Sequence, residues 1–582
     1  MFEQKPSLPL NEKYNDRENQ ERTGRLSRVL RTVVFVIFVS VQFYLWLCKV
    51  GKSNSQLTLE NFSAATCPSV KKLVPYGDGL LGLDQFRTPE YRNYSLLVWS
   101  GAVKIPTENF DDFGEVGEDP RWDIFYDMVD YILKTFPQVS SKTKVEHVNT
   151  HGLIFTLEGS KAELKPLLLT GHLDVVPVPH ETLDKWTHPP FAGVFDGEYL
   201  WGRGSSDCKN VVIGILEALE RLLDQGFKPQ RTLIIAFGFD EETSGHRGAS
   251  NIAKALLDKW GPKSIYMIVD EGTVGIADIY GTKFALPGTG EKGYVDVNVD
   301  LIMDGGHSSV PPRHTAIGII SQLVIEIEKS EYNLDISPNN PFYYQLQCEA
   351  KYATLMDEKL RKDILNIDKD SKSKNSVLET LGEDPQSKFL VSTSQAVDII
   401  YGGVKINALP EKVTVKINHR VSYESSLEEV KKKILGLASR IANGSNLNLE
   451  AYGQTLINNV CAKGKFEIST DSELIPAPLT SNINNPSWHL LGGTIKNVFE
   501  DYADNDGGER SEIFLSPSSL TGNTDTKYYW DLTDNIYRFD PIRQNKSFNV
   551  HTVDERVALD AHIEGVAFYY QLIRNFDSSL GN

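Results

Sequence analysis

Short apolar runs alternate with amphipathic stretches over most of the chain. KPLLLTG (165–171), RTLIIAFGF (231–239) and SIYMIVD (264–270) predict buried strands, and VVIGILEALERLLDQG (211–226) predicts a helix ending near Gly226. Strands that are apolar along their whole length and separated by helices predict an α/β domain, a mostly parallel sheet covered on both faces. Near Gly293 the period changes. YVDVNVDLIM alternates as a half-solvated strand does, TAIGIISQLVIEIEK reads as a helix, and QAVDIIYGGVKI and KVTVKINHRV read as strands. SLEEVKKKILGLASRIA is then a helix and LNLEAYG a last strand. This β-α-β-β-α-β order predicts a two-layer, ferredoxin-like α+β domain. It is inserted into the first domain, because signals of the first kind resume after 457 and end in the helix ALDAHIEGVAFYYQLIRNF. The larger domain thus takes 91–290 and 457–582, and the smaller one 291–456. Within the latter, 330–392 exceeds what two layers need, and its charged part, DEKLRKDILNIDKDSKSK, predicts an exposed, solvated insertion.

One run stands apart. The 17 residues 32–48, TVVFVIFVSVQFYLWLC, carry no charge and reach the lower limit for a membrane-spanning helix. Arg22, Arg25, Arg28 and Arg31 precede it, while only Lys49 and Lys52 follow closely. That bias predicts a cytosolic tail (1–31), a signal anchor (32–48), a stalk (49–90) and a body on the far side of the membrane. No A-x-A-like cleavage site follows the run, which argues against a removed signal peptide.

Composition sharpens this picture. Over 582 residues, 40% apolar and 24% charged content excludes disorder, collagen-like repeats and a polytopic membrane protein. The net charge is −18, and since residues 1–52 carry +4, the body carries −22, which disfavours binding to nucleic-acid phosphates. All four N-x-S/T sequons, at Asn61, Asn93, Asn443 and Asn545, lie in that body and predict a glycosylated lumenal face. Cys67, Cys208, Cys348 and Cys461 would face an oxidising space, with no C-x-x-C pair and no spacing that fixes a connectivity.

Candidate chemistry gathers at strand ends, where open α/β sheets bind ligands. GHLDVVPV puts His172 and Asp174 directly after a strand, WGRGSSDCKN puts Asp207 before a helix, FDEETSG carries Glu241 and Glu242, and VDEG carries Asp270 and Glu271. Carboxylates crowded on one sheet edge repel one another unless cations neutralise them, and a His with several Asp/Glu suits zinc. More than four donors imply two ions sharing a bridging carboxylate. One of Glu241 and Glu242 can then bind metal while the other moves a proton; the residues alone do not choose between them, nor between Asp270 and Glu271.

Together with GGHSSVPP, NALPEK, GNTDTKYYW and HTVDER, these strings resemble, in order and over nearly all of the chain after residue 90, the aminoacylase and carboxypeptidase family of di-zinc metallopeptidases. Within that family the chain is most similar to the fungal, membrane-anchored vacuolar carboxypeptidases. The resemblance implies two Zn²⁺ per subunit on His172, Asp207, Glu242, Asp270 and His551, with Asp207 bridging. It implies that Asp174 orients His172, that Glu241 is the general acid and base, and that His307 steadies the oxyanion. Asn407 and Arg420 would hold the substrate, and Asp525 and Lys527 would border it. The smaller domain would act as a lid and could form a homodimer face. The implied activity is release of C-terminal amino acids from short peptides with Gly in the penultimate position, in the vacuole. Hydrolysis or synthesis of N-acyl amino acids is the rival chemistry, and a receptor on an inactive peptidase scaffold is the rival class, which the intact motifs disfavour. Lys5 and Lys13 in the tail offer sites for ubiquitin-type sorting.

Three features are set aside. GTGEKG matches a dinucleotide fingerprint but precedes a strand pattern rather than a helix, so it reads as a hinge. Asp368, Asp370 and Glu379 have EF-hand spacing, but Ser373 replaces the obligatory glycine. Cys208 reads as a buried structural thiol.

Overall fold

The computed structural model describes residues 67–578, apart from 76, 273–274, 482–484 and 504–510. The predicted anchor (32–48), Asn61, Lys5 and Lys13 lie outside the described residues. Among the described residues no helix is long and apolar enough to cross a membrane.

An eight-stranded sheet forms the larger domain, in the spatial order Lys144–Val148, Gly152–Leu157, Leu233–Gly238, Leu167–His172, Met267–Asp270, Ile536–Arg538, Gly288–Glu291 and Ser518–Leu520. Its centre is parallel, from Leu233–Gly238 to Ile536–Arg538, and antiparallel pairings flank that centre. Alternation along each buried strand feeds two cores. Leu167, Leu169, Ile235 and Val269 face the helices Pro89–Val103, Lys209–Asp224 and Leu559–Ser578. Leu168, Ile234, Ala236 and Ile268 face the helix Ala249–Trp260. Both sheet faces are therefore dry, which is why the strands read as continuous apolar runs. The predicted helix at 211–226 forms at Lys209–Asp224, and Gly226 follows its end in the left-handed region (φ 82°).

The smaller sheet has six strands, in the order Ser394–Gly402, Lys412–Val421, Gly293–Met303, Gly464–Leu474, Asn448–Ala451 and Gln454–Ile457. One face is packed by the helices Ala316–Lys329 and Leu427–Ser445, and Val295, Val297, Val299 and Leu301 point into that core. The ferredoxin-like order is present with two added strands, Gln454–Ile457 at the edge and Gly464–Leu474 within the sheet. Gly464–Leu474 lies between Gly293–Met303 and Asn448–Ala451, so strand signals assigned to the larger domain after 457 continue the smaller sheet.

The insertion differs from expectation. Residues 330–392 are not a solvated loop; they fold into the helices Pro341–Tyr352, Glu358–Leu365, Ser371–Gly382 and Pro385–Lys388. These bury Phe342, Leu346, Ile364, Val377 and Leu381 in a core of their own that includes Phe284. Asp368–Glu379 therefore runs into a helix rather than a calcium loop. Cys348 of the first of these helices is bonded to Cys67, a span of 281 residues.

Candidate metal centre

The carboxyl ends of three adjacent parallel strands supply the site. His172 ends Leu167–His172, the turn Glu241–Thr243 follows Leu233–Gly238, and Glu271 follows Met267–Asp270. Asp174 organises the first two. Its Oδ1 accepts from His172 Nδ1 (3.2 Å) and from the backbone N–H of Glu241 (3.1 Å). Its Oδ2 accepts from the backbone N–H of Glu242 (3.0 Å) and from the side-chain amide of Asn109 (3.0 Å). With Nδ1 donating to Asp174, His172 presents Nε2 to the site, the arrangement of a metal-ligating imidazole.

Nε2 of His172 lies 3.0 Å from Asp207 Oδ1 and 3.4 Å from Glu271 Oε2. The second oxygen of Asp207 lies 3.0 Å from His551 Nε2, which is itself 3.2 Å from Glu242 Oε1. One carboxylate thus stands between two imidazoles, each accompanied by a further glutamate. Donor atoms of His172, Asp207 and Glu242 lie within 4.8 Å of one another, as do those of His172, Cys208 and Glu271. The donor chemistry fits zinc: oxygen and imidazole nitrogen ligands converge, with more acids than imidazoles. Burial opposes the charge on His172, yet Cys208, Glu271, Asp174 and Asp207 hold its pKa well above the usual range. Hydrogen bonds to Asp207 and Glu242 push His551 up to about 10. Burial raises Glu242 to about 7 and, with the charge of Glu271, holds Glu241 well above the carboxylate range.

The ligand expected at Asp270 is corrected. Asp270 ends its strand on the face of Ile268 and Leu168, away from His172 Nε2, and burial with the charges of Glu271 and Glu291 pushes its carboxyl well up. Glu271, one residue on, shares the Val269 face and is the carboxylate beside His172. Asp525 lies close enough for its charge to act on Glu241. It is buried behind the glutamate turn: a Cβ on Gly245 (φ 65°) would lie 2.1 Å from its Oδ1, and one on Gly238 2.7 Å from its Oδ2. Cys208 is buried, accepts the backbone N–H of His172 at 3.3 Å, and burial pushes its thiol well up, as a structural thiol requires.

A cavity of about 310 Å³ opens beside the cluster, lined by Asp207, Glu271, Asp540, Ile542, Arg543 and Val550. His307 and Asn407 come together elsewhere, in an exposed ribbon where Gly306–His307 pairs with Ala408–Leu409 and Ser308 N donates to the Asn407 carbonyl. Arg420, one residue before the end of its strand, lies opposite Tyr294, and its Nη1 donates to Asn523 Oδ1 at 3.0 Å. Asn93, Asn443 and Asn545 are exposed. Asn109, which anchors Asp174 and reaches Thr243 Oγ1 at 2.8 Å, carries no motif and was not expected.

A sheet with a parallel centre whose strand ends carry His172, Glu241, Glu242 and Glu271, met by Asp207 and His551 from neighbouring loops, defines a metallohydrolase. The chain belongs to the family described as Peptidase family M20/M25/M40, whose model matches residues 168–575. It is 42% identical to carboxypeptidase S of Saccharomyces cerevisiae, over 84% of this chain and 85% of that one. It is 37% identical to an uncharacterized carboxypeptidase of Schizosaccharomyces pombe, over 97% and 96% of the two chains. Its fold is similar to that of an M20 family metallo-carboxypeptidase from Sulfolobus solfataricus, with TM-score 0.54, 16% identity and coverage of 83% and 99%. The protein is a hydrolase of the metallo-carboxypeptidase type.

Proposed function

We propose that this metallo-carboxypeptidase releases the C-terminal residue of short peptides whose penultimate residue is Gly, with two Zn²⁺ ions, inside a vacuolar lumen. The observation that carries the reading is the placing of Asp207, one oxygen toward His172 and the other toward His551, both at 3.0 Å. Zinc bound there would polarise the scissile carbonyl and acidify water. Glu241 takes the proton of the attacking water on its carboxylate and delivers it to the leaving amine. Its backbone is fixed by Asp174, so the carboxylate meets substrate from a set direction. His307 supports the developing oxyanion, and Arg420 with Asn407 holds the terminal carboxylate, for which a guanidinium gives a bidentate grip.

The decisive assay compares a blocked peptide ending in Gly-Leu with an N-oleoyl amino acid, for wild type and Glu241→Gln. The peptide is cleaved preferentially, and the substitution lowers kcat by about 10² or more while zinc stays bound. Preference for the N-oleoyl substrate, or retained turnover in the variant, would overturn the reading. Exposure of three sequons and the apolar run at 32–48 favour a membrane-anchored, lumen-facing body; an endoglycosidase that leaves gel mobility unchanged would count against it.

A further inference from the structure

Glu555 follows His551 by four residues and immediately precedes the strand Arg556–Ala558, which pairs antiparallel with Tyr199–Trp201, the strand leading into the Asp207 loop. Its side chain has no solvent exposure (0%). Oε2 accepts from Arg203 Nη1 at 2.6 Å and from the backbone N–H of Gly204 at 3.1 Å. Oε1 accepts from the backbone N–H groups of Ser206 at 2.8 Å and Asp207 at 3.3 Å. The Glu555 carbonyl accepts from the N–H of Gly202 at 3.0 Å. The loop from 202 to 207 is folded around this one residue, with Gly202 and Gly204 at positive φ.

This differs from an ordinary buried ion pair with Arg203. Three amide donors of the loop, those of Gly204, Ser206 and Asp207, need acceptors, and Glu555 supplies its two oxygens to them. One of those amides belongs to Asp207, whose carboxylate stands between His172 and His551. At its other end Glu555 is tied through a short segment to His551, which sits in the left-handed region (φ 61°), as does Asp554 (φ 64°). Asp554 is pinned in turn, its Oδ1 accepting from Thr187 N at 2.7 Å. A segment this constrained transmits the position of Glu555 to the His551 ring.

We infer that Glu555 is a positioning residue: it clamps the loop that carries Asp207 to the loop that carries His551, and so sets the distance between those two metal-binding side chains. It touches neither metal nor substrate. The inference rests on the metal reading proposed above, and zinc affinity separates the two.

The test measures Zn²⁺ binding to the purified full chain by competition with a chelating dye, alongside the melting temperature in chelator and kcat/KM with the Gly-Leu peptide. Glu555→Gln turns one acceptor oxygen into a donor facing the loop amides. It should weaken zinc binding by about 10- to 100-fold. Glu217 provides the control. It is equally buried and accepts from Tyr91 (2.7 Å), Ser95 (3.0 Å) and His562 (3.0 Å) where three helices meet. Glu217→Gln should lower the melting temperature and leave zinc affinity as it was. Wild-type zinc affinity in Glu555→Gln, or equal weakening in both variants, would overturn the inference. Should Glu555→Gln not fold, Glu555→Asp decides: it keeps the charge but falls short of the loop, so tenfold weaker zinc supports the clamp and unchanged zinc refutes it. Wild type that binds no zinc removes both this inference and the metal reading.

Discussion

Asp174 shows how much a single side chain arranges. Four donors meet its two oxygens: the His172 ring, the backbone of Glu241, the backbone of Glu242 and the Asn109 amide. The imidazole proposed to bind metal and the glutamate proposed to move the proton are thereby oriented by one carboxylate. The ligand beside it makes a sharp prediction. Because Glu271 and not Asp270 reaches His172, Glu271→Gln should lose metal, while Asp270→Asn should keep it; zinc counted per chain by elemental analysis separates them. Equal loss in both would restore Asp270 as a ligand. The choice was legible in principle. Val269 and Glu271 share one face by the period of two, and that face holds Cys208 and Val211, whereas Ile268 and Asp270 share the other. Motif resemblance points to the VDEG string as a whole, and only the alternation tells which acid turns inward. Asn109 was not legible, because a lone Asn in a loop has no period and no spacing.

Among the elements, the helical insertion was misread because its charges outweigh its apolar positions locally. The signal that marks it is in the caps. Asn340, Asp357, Asp370 and Asp384 each precede a helix and accept a backbone N–H two or three residues on, with Pro at the first position of two of them. Four capping residues at such intervals announce short helices even where the charge suggests solvent. Three strands of the larger sheet and four of the smaller were legible to within a few residues, since continuous apolar runs and strict alternation are strong patterns; the others, including Gly288–Glu291 within the stretch read as a hinge, were not. The first insertion helix, Pro341–Tyr352, also carries a pH dependence. Burial pushes Glu349 up to about 7 against the hydrogen bond that Gln345 donates to it at 2.9 Å. Its folded pKa lies above the unfolded value near 4.3, so the unfolded state releases this proton first as pH rises. The contribution is fully present below about pH 4.3 and is lost as pH rises through about 7, an upper bound of about 4 kcal/mol. Chemical denaturation between pH 4 and 8 should therefore show wild type weakening toward neutrality, and Glu349→Gln should flatten that slope. Parallel profiles would exclude Glu349 as the source.

At the scale of the molecule, two domains, the insertion point of the smaller and the clustering of acids on one sheet edge all follow from patterns that recur many times along the chain. Single covalent events do not recur, and the pairing of Cys67 with Cys348 is of that kind: cysteine spacing carries no distance information across 281 residues. Yet this bond changes what the chain is as an object. Between its two cysteines the polypeptide is a ring, and His172, Asp207, Glu241, Glu242 and Glu271 are all inside it, with His551 on the linear remainder. A protease cutting once anywhere from 68 to 347 opens the ring without producing two molecules. Limited proteolysis should then give a nicked species that runs as one band without reductant and as two with it, and keeps its bound zinc. A catalyst working among other hydrolases would survive its first cut in that region.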